Sequence, residues 1–143
     1  MARQAEAEWK GDLKGGNGRV KTGSGGYDGN YSFATRFEDG KGANPEELLG
    51  AAHAGCFSMA LANSLAQAGF TPTSVKTKAD VHLNKDDKGF LINLVELTVD
   101  AVVPKVDQAT FQQHVEKTKT GCIISRALGA IPTMNVKATL KNS

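Results

Sequence analysis

The chain has 143 residues, of which 40% are hydrophobic and 22% charged, and its formal net charge is +2. These values predict one globular domain over residues 1–143 and exclude a disordered or fibrous chain. The basic residues form no run that could follow a phosphate backbone, so nucleic acid is not an expected partner, and the two cysteines are too few for a disulfide scaffold or a four-cysteine zinc site but suffice for one redox couple.

The N-terminal third is predicted to form an antiparallel meander. Acidic residues occur within the first eight positions and no apolar stretch follows them, so we expect no targeting peptide and a reducing, cytoplasmic location. The glycine-rich turns match no phosphate-binding pattern and instead separate strand-like segments. These segments are Ala5–Leu13, Gly18–Thr22 and Tyr31–Phe37.

A long helix is predicted next. Asn44 can cap it, Pro45 suits its first position, and Gly69 ends it after Ala68. Such a helix is roughly 35 Å long. Its uncharged stretch is long enough to span a membrane, but its many alanines, glycines and polar residues favour a helix buried on nearly all sides, and we expect no membrane association. Because a small monomer covers so long an apolar helix poorly, we predict a homodimer with this helix at or near the interface.

The remaining chain predicts an α+β fold in which antiparallel sheets pack on the long buried central helix. Two alternating segments, Ser74–Leu83 and Phe90–Val103, predict a second hairpin. After it we expect a helix capped by Asp107 and ended by Gly121, a short helix and a final strand. The last two are predicted at Cys122–Leu128 and Met134–Leu140.

Cys56 lies inside the long helix, where the simplest interpretation is an unreactive buried thiol. His53, three residues earlier, shares its helical face. Glu46 is about 15 Å away along the axis, so it could act on Cys56 only through a long cation. Arg36, predicted at the end of the third strand, is either an exposed charge or that cation. In the second case its guanidinium, held by Glu46, lowers the pKa of the Cys56 thiol.

Cys122 is predicted at the start of a short helix, where the helix dipole favours the thiolate. Sequence spacing alone leaves open whether it pairs with Cys56. The His53-x-x-Cys56 spacing also permits a metal site. Because His82 and His114 occupy polar positions that are more simply solvent-facing, we expect no metal and no cofactor.

The segment NPEELLGAAHAGCFSMAL, with TRF upstream and GCIIS downstream, resembles the osmotically inducible protein C and organic hydroperoxide resistance family, most closely its osmotically inducible branch. The resemblance extends over essentially the whole chain. It implies a thiol peroxidase that reduces organic hydroperoxides and forms an intertwined homodimer with two active sites at the subunit interface. By this resemblance Cys56 is the peroxidatic and Cys122 the resolving cysteine, and Glu46 and Arg36 match the acid and the arginine of this branch.

The resemblance further implies a Cys56–Cys122 disulfide that a dithiol, such as a lipoyl-bearing protein, reduces. Phe37 and Phe57 are expected beside the site, where they would favour alkyl and lipid peroxides. Two positions depart from or complicate the family pattern. Ile123 stands where the family usually has proline, and Arg19 competes with Arg36, because the organic hydroperoxide branch brings its arginine from a different loop.

An alternative from another class is a non-catalytic stress protein that binds a hydrophobic small molecule in an apolar dimer cleft. In that case the two cysteines would only pack, and they would have ordinary pKa values.

Overall fold

The computed structural model describes residues 1–143 and contains six strands and four helices. In chain order these are β1 (Ala5–Lys10), β2 (Asn17–Thr22), β3 (Asp28–Tyr31), α1 (Phe33–Phe37), α2 (Pro45–Gln67), β4 (Ser74–Asp86), β5 (Gly89–Val102), α3 (Gln108–Gly121), α4 (Ile123–Ala127) and β6 (Thr133–Lys141). The chain divides into two compact units, Met1–Leu48 and Leu49–Ser143. The prediction that residues 1–143 form a single domain stays a prediction.

The first unit contains a three-stranded antiparallel sheet in the order β1-β2-β3. Gly18 on the middle strand lies opposite Trp9 and Tyr31, and a side chain there would collide with both rings. Because glycine has only a hydrogen in place of a side chain, Gly18 leaves room for the two aromatic rings, whose centroids are 5.3 Å apart.

The prediction of a strand over Tyr31–Phe37 is wrong beyond its first residue. β3 ends at Tyr31, and the helix α1 follows at Phe33–Phe37. Ser32 and Thr35 form a capping box, in which each side chain accepts a hydrogen bond from the backbone N–H of the other. This exchange satisfies N–H groups that a helix start leaves free, so the chain turns into a helix there.

The predicted long helix is present as α2. The Asn44 side chain accepts a hydrogen bond from the N–H of Glu47 at 2.7 Å, as expected of an N-cap. Gly69, just past the helix, has a φ of +92°, the left-handed conformation that ends helices. By length and composition alone α2 could cross a membrane; a core helix of a soluble protein passes the same test.

The second unit contains the sheet β4-β5-β6, whose first two strands form the predicted antiparallel hairpin. The expectation that the sheets are purely antiparallel is wrong for this one, because β6 pairs with β5 in parallel. The two helices α3 and α4 lie between these strands in sequence. They form the long crossover that parallel pairing requires.

One face of α2 contributes to the hydrophobic core of the second unit. Phe57, Leu61 and Leu65 on this face are fully buried and cluster with residues of β5 and α3. The opposite face is exposed, and Met59 keeps 76% of its accessible surface. The prediction that the helix is buried on nearly all sides is therefore wrong for the single chain.

Candidate active site

The two cysteines meet in the second unit. Cys56 lies on α2 and Cys122 is the N-cap residue of α4. Their Sγ atoms are 2.9 Å apart, and both thiols are free. Cys122 is 1% exposed, whereas Cys56 is half-buried. A disulfide bond is about 2.05 Å long, so the sulfurs must approach by only about 0.9 Å to form one.

The environments of the two sulfurs shift their pKa values in opposite directions. Desolvation raises the pKa of Cys56, and its hydrogen bond to Cys122 raises it further. Desolvation also acts upward on Cys122, but its interactions with Cys56 and with Ser125 outweigh it and lower the pKa of Cys122. Because the two sulfurs are in contact, their titration belongs to the pair rather than to either thiol alone.

The predicted lowering of the Cys56 pKa is not produced by the groups of the second unit. Only the backbone N–H groups of Ile123 and Ile124 act in that direction, and the pKa of Cys56 remains raised. The part assigned to Arg36 in lowering it stays a prediction.

His53 is buried on α2, three residues before Cys56. It is 0% exposed, and its Nε2 lies 2.8 Å from the Oγ of Ser125. Sequence reasoning missed Ser125. The signal was available, because Ser125 follows Cys122 by three residues, as Cys56 follows His53, and this spacing puts two side chains on one side of a helical turn.

Ile123, where proline is usual in the family, opens α4 and is 74% exposed. The preceding Cys122 has φ −56° and ψ 133°, the extended conformation that a following proline would impose. Isoleucine at position 123 is thus compatible with the same backbone conformation of Cys122. It also keeps an N–H that proline lacks, and this N–H acts to lower the pKa of Cys56.

Arg36 and Glu46 form the forked ion pair that was predicted, within the first unit. Arg36 Nη2 donates to Glu46 Oε1 at 2.8 Å, and Arg36 Nε lies 3.2 and 3.3 Å from the two carboxylate oxygens. Arg36 lies on α1 rather than at a strand end. Its side chain is 39% exposed, and that of Glu46 is 11% exposed.

Arg19, the competing arginine, is committed elsewhere in the same unit. Its Nε and Nη2 donate to the two carboxylate oxygens of Asp28 at 2.7 and 2.8 Å across β2 and β3. Its side chain is 66% exposed. Of the two arginines, Arg36 is therefore the one that Glu46 orients.

A cavity of ≈ 230 Å³ lies beside Arg36. It is lined by Trp9, Leu13, Tyr31, Ser32, Phe33, Arg36 and Phe37. The Phe37 ring centroid is 5.3 Å from the guanidinium carbon. Phe57 is 0% exposed within the core of the second unit and lines no accessible surface. The expectation that Phe37 lies beside the thiols stays a prediction.

The remaining histidines are engaged in separate pairs. His82 Nε2 lies 2.7 Å from Glu96 Oε2, and His114 Nδ1 lies 2.7 Å from Ser64 Oγ. No group of three or more His, Cys, Asp or Glu side chains is arranged to hold a metal ion.

An α+β chain with two free thiols in contact belongs to the class of dithiol redox proteins, and comparison with known proteins narrows this class. Residues 38–137 match the family model described as OsmC-like protein. The chain is 50% identical to "Peroxiredoxin OsmC" of Escherichia coli (strain K12) over 134 residues, which cover 93% of this chain and 94% of that protein. The chain therefore belongs to the OsmC family.

Solved structures agree with this assignment. The organic hydroperoxide resistance protein OhrB of Bacillus subtilis is 26% identical with a TM-score of 0.71, covering 96% of this chain and 98% of its own. An organic hydroperoxide resistance protein of Elizabethkingia anophelis is 25% identical with a TM-score of 0.70, covering 100% and 99%. The predicted α+β fold of this family is thus confirmed.

Proposed function

We propose that the chain is a thiol peroxidase that reduces organic hydroperoxides to alcohols in stress defence, with Cys56 as the peroxidatic and Cys122 as the resolving cysteine. The observation that carries this proposal is the 2.9 Å separation of the two free sulfurs. The printed names of the relatives, a peroxiredoxin and two organic hydroperoxide resistance proteins, support the same chemistry.

The reaction begins when the Cys56 thiolate attacks the terminal peroxide oxygen, which bears the hydrogen, and the O–O bond breaks so that the alkyl-bearing oxygen leaves as an alkoxide. The alkoxide takes a proton and leaves as the alcohol, and Cys56 becomes a sulfenic acid. Cys122 then attacks the Cys56 sulfur, which forms the disulfide and releases water. A cytosolic dithiol, for which we propose a lipoyl-bearing protein, reopens the disulfide by exchange.

The role proposed for Arg36 is electrostatic. Its guanidinium stabilises the Cys56 thiolate and the negative charge that grows on the peroxide oxygens in the transition state. Glu46 holds the guanidinium in one orientation through the forked pair. The aromatic and aliphatic side chains in the cavity beside Arg36 suit an alkyl group, so we expect organic hydroperoxides to react faster than hydrogen peroxide.

We further propose that the protein is a cytoplasmic homodimer. The exposed face of α2, which includes Ala51, Ala52, Gly55 and Met59, supports this proposal because it is long, apolar and uncovered in the single chain. Light scattering after size exclusion should give twice the chain mass. Met59→Glu should shift the protein toward the monomer, whereas a monomeric parent protein would contradict the proposal.

The peroxidase proposal is tested by mixing reduced protein with cumene hydroperoxide and dihydrolipoamide. Cys56→Ser should abolish turnover. Cys122→Ser should consume the first peroxide and then gain a second oxygen on Cys56, about 32 Da in total, because no thiol intercepts the sulfenic acid. Ser58→Ala, a control on the same helix whose hydroxyl donates to Thr77, should keep full turnover. Full turnover by Cys56→Ser would overturn the assignment, whereas a parent protein without turnover and without a disulfide after peroxide would favour a non-catalytic binding protein.

A further inference from the structure

The short helix α4, which follows Cys122, is joined to α2 by one side-chain hydrogen bond. α4 is five residues long, and its only buried residue is Ser125. Ser125 Oγ lies 2.8 Å from Nε2 of His53 on α2. The other hydrogen bonds of α4 are backbone bonds to residues between Cys122 and Gly129. The hydrogen bond to His53 therefore connects α4 to a helix that is distant in sequence, and the reaction described above uses neither residue.

Both groups of this hydrogen bond are inaccessible to water. His53 is 0% exposed and Ser125 is 5% exposed. The other ring nitrogen of His53, Nδ1, is buried and has no hydrogen-bond partner. Breaking the hydrogen bond to Ser125 would therefore leave the buried ring without any partner, and water could not take the place of the hydroxyl. Because an unsatisfied buried polar group is costly, this bond resists separation of α4 from α2 more than an exposed bond would.

The two cysteines lie at matched positions in the same two segments. His53 precedes Cys56 by three residues, and Ser125 follows Cys122 by three residues. The sulfurs are 2.9 Å apart, and the His53 and Ser125 side chains are 2.8 Å apart. The two contacts thus connect the same segments about one helical turn from each other. One contact alone would let the segment around Cys122 turn about it, whereas two contacts fix its orientation.

α4 needs such a contact because little else holds it. A helix of five residues is marginal on its own. Gly121 and Gly129 flank the segment, and glycine has the least restricted backbone of all residues. Ile124 packs against the hydrophobic core, whereas Ile123 is 74% exposed. α4 therefore has one apolar anchor and one polar anchor, and the polar anchor is Ser125.

We propose that His53 and Ser125 are positioning residues for the resolving step, because their hydrogen bond holds the segment of Cys122 against α2 and keeps its sulfur within reach of Cys56. The inference rests on the proposed function, which makes Cys122 the resolving thiol. In that step an electron pair of the Cys122 sulfur forms the S–S bond, and hydroxide leaves the Cys56 sulfenic acid and becomes water with the proton that Cys122 gives up. The Cys122 sulfur is oxidised and the Cys56 sulfur reduced, so no further reactant is needed.

The expected consequence concerns the effective concentration of Cys122 at Cys56. A group that is held in place reacts with its neighbour as if it were present at high concentration. Loss of one buried hydrogen bond should lower this effective concentration by about three- to tenfold, the factor that corresponds to its net free energy. The sulfenic acid on Cys56 then persists for longer, and a larger fraction is oxidised to the sulfinic acid by a second peroxide.

The first experiment measures the effective concentration without peroxide, by equilibrating the protein with reduced and oxidised glutathione. Exchange converts the protein dithiol and one oxidised glutathione into the protein disulfide and two reduced glutathione molecules. Ser125→Ala and His53→Leu should each lower this equilibrium constant by about three- to tenfold. The double variant should lose little more than either single variant, because both remove the same hydrogen bond. An unchanged constant in Ser125→Ala, or losses that add in the double variant, would overturn the inference.

Two further sets of variants separate positioning from a general structural role. His53→Gln can still donate an amide N–H to Ser125 and should restore most of the parent equilibrium constant. Ser64 and His114 offer a matched control, because they form a second Ser–His hydrogen bond, at 2.7 Å between α2 and α3. Ser64→Ala and His114→Leu should keep the parent constant. Equal losses in these controls, or a His53→Gln protein no better than His53→Leu, would contradict the inference.

The second experiment measures how Cys56 partitions after oxidation by cumene hydroperoxide, using intact mass. Ser125→Ala should shift the product ratio about three- to tenfold from the disulfide, about 2 Da lighter than the reduced protein, toward the sulfinic acid, about 32 Da heavier. An unchanged ratio would refute a role in the resolving step. If the parent forms no disulfide with peroxide, the proposed function fails, while the glutathione equilibrium still tests the hydrogen bond. Should His53→Leu fail to fold, Ser125→Ala decides, since it removes a single oxygen.

Discussion

The two units of the chain are stabilised in different ways. In the second unit, side chains of α2, β5 and α3 form a buried hydrophobic core around Cys122. In the first unit, Ala43 is the only buried hydrophobic residue, and order comes from the β1-β2-β3 ladder and from ion pairs such as Arg19–Asp28 and Arg36–Glu46. The candidate site is divided in the same way: the charged Arg36 and Glu46 lie in the first unit and the two free thiols in the second. The first unit thus depends on charge pairs and the second on apolar packing.

The largest expected effect concerns the core. Phe57→Ala removes a fully buried ring and should lower the free energy of unfolding by about 3–5 kcal/mol. Leu13→Ala, at a 60% exposed position of the first unit, should change it by less than about 0.5 kcal/mol. Urea unfolding of both variants measures the difference. Similar losses would show that the two units depend equally on apolar burial.

The next effect separates the two arginines of the first unit. Arg36→Met should lower kcat for cumene hydroperoxide by about 10²–10³-fold, the cost of removing one preorganised donor from a transition state. Arg19→Met removes the same charge from a more exposed pair and should leave kcat within about twofold. Steady-state rates at saturating peroxide decide the comparison. A larger loss in Arg19→Met would reassign the catalytic arginine.

Glu46→Gln tests whether Glu46 orients the Arg36 guanidinium, rather than whether its own charge takes part in the reaction. The amide keeps one acceptor for Arg36 but loses the charge-assisted fork, which contributes about 1.5 kcal/mol. We expect roughly a tenfold loss of kcat/KM. Asp28→Asn makes the equivalent change at Arg19 and should have no effect on turnover. An inactive Glu46→Gln protein would indicate a direct role for the carboxylate.

A smaller effect is expected in the pH dependence of the second unit. Burial lowers the pKa of His53 in the folded state below its ordinary value of about 6.5. The unfolded chain therefore binds an extra proton as the pH falls below about 6.5, so this contribution to stability is present above that pH and is lost on acidification. Urea unfolding at several pH values should show a shallower acid loss in His53→Gln than in the parent. Identical slopes would contradict the assignment.

The smallest effect is expected at Ile123. Ile123→Pro fits the extended backbone of Cys122 and should raise the free energy of unfolding by about 0.4–1 kcal/mol. It also removes the N–H that acts to lower the pKa of Cys56, so this pKa should rise. Ile123→Ala keeps this N–H and serves as the control. A thiolate titration in the Cys122→Ser background measures the shift, and a lower stability of Ile123→Pro would show that its backbone does not fit.

The elements that depend on local signals were predicted from the sequence. α2 begins after the Asn44 cap and ends before Gly69, because capping and a left-handed glycine act over a few residues. α1 was missed because its segment also alternates as a strand does, and its capping box uses Thr35 where Glu or Gln is usual. The parallel pairing of β6 with β5 was missed because no local pattern encodes the strand beside which a distant segment lies.

The contacts of the candidate site also differ in whether the sequence alone could predict them. The Arg36–Glu46 pair was predicted from charge and spacing, and the structure contains it. The contact between Cys56 and Cys122 came only from the family resemblance, since residues far apart in sequence meet through the whole fold of the second unit. Ser125 was missed although its spacing from Cys122 matches that of Cys56 from His53, because its contact with the distant His53 forms only in the folded chain.

The unequal exposure of the two sulfurs also determines how the proposed disulfide is reopened. An incoming dithiol can reach the half-buried Cys56 sulfur far more easily than the Cys122 sulfur, which is 1% exposed. Attack at Cys56 makes Cys122 the leaving group, and thiols of lower pKa leave faster. The surroundings that lower the pKa of Cys122 therefore favour regeneration, and the transient mixed disulfide with the reductant forms on Cys56.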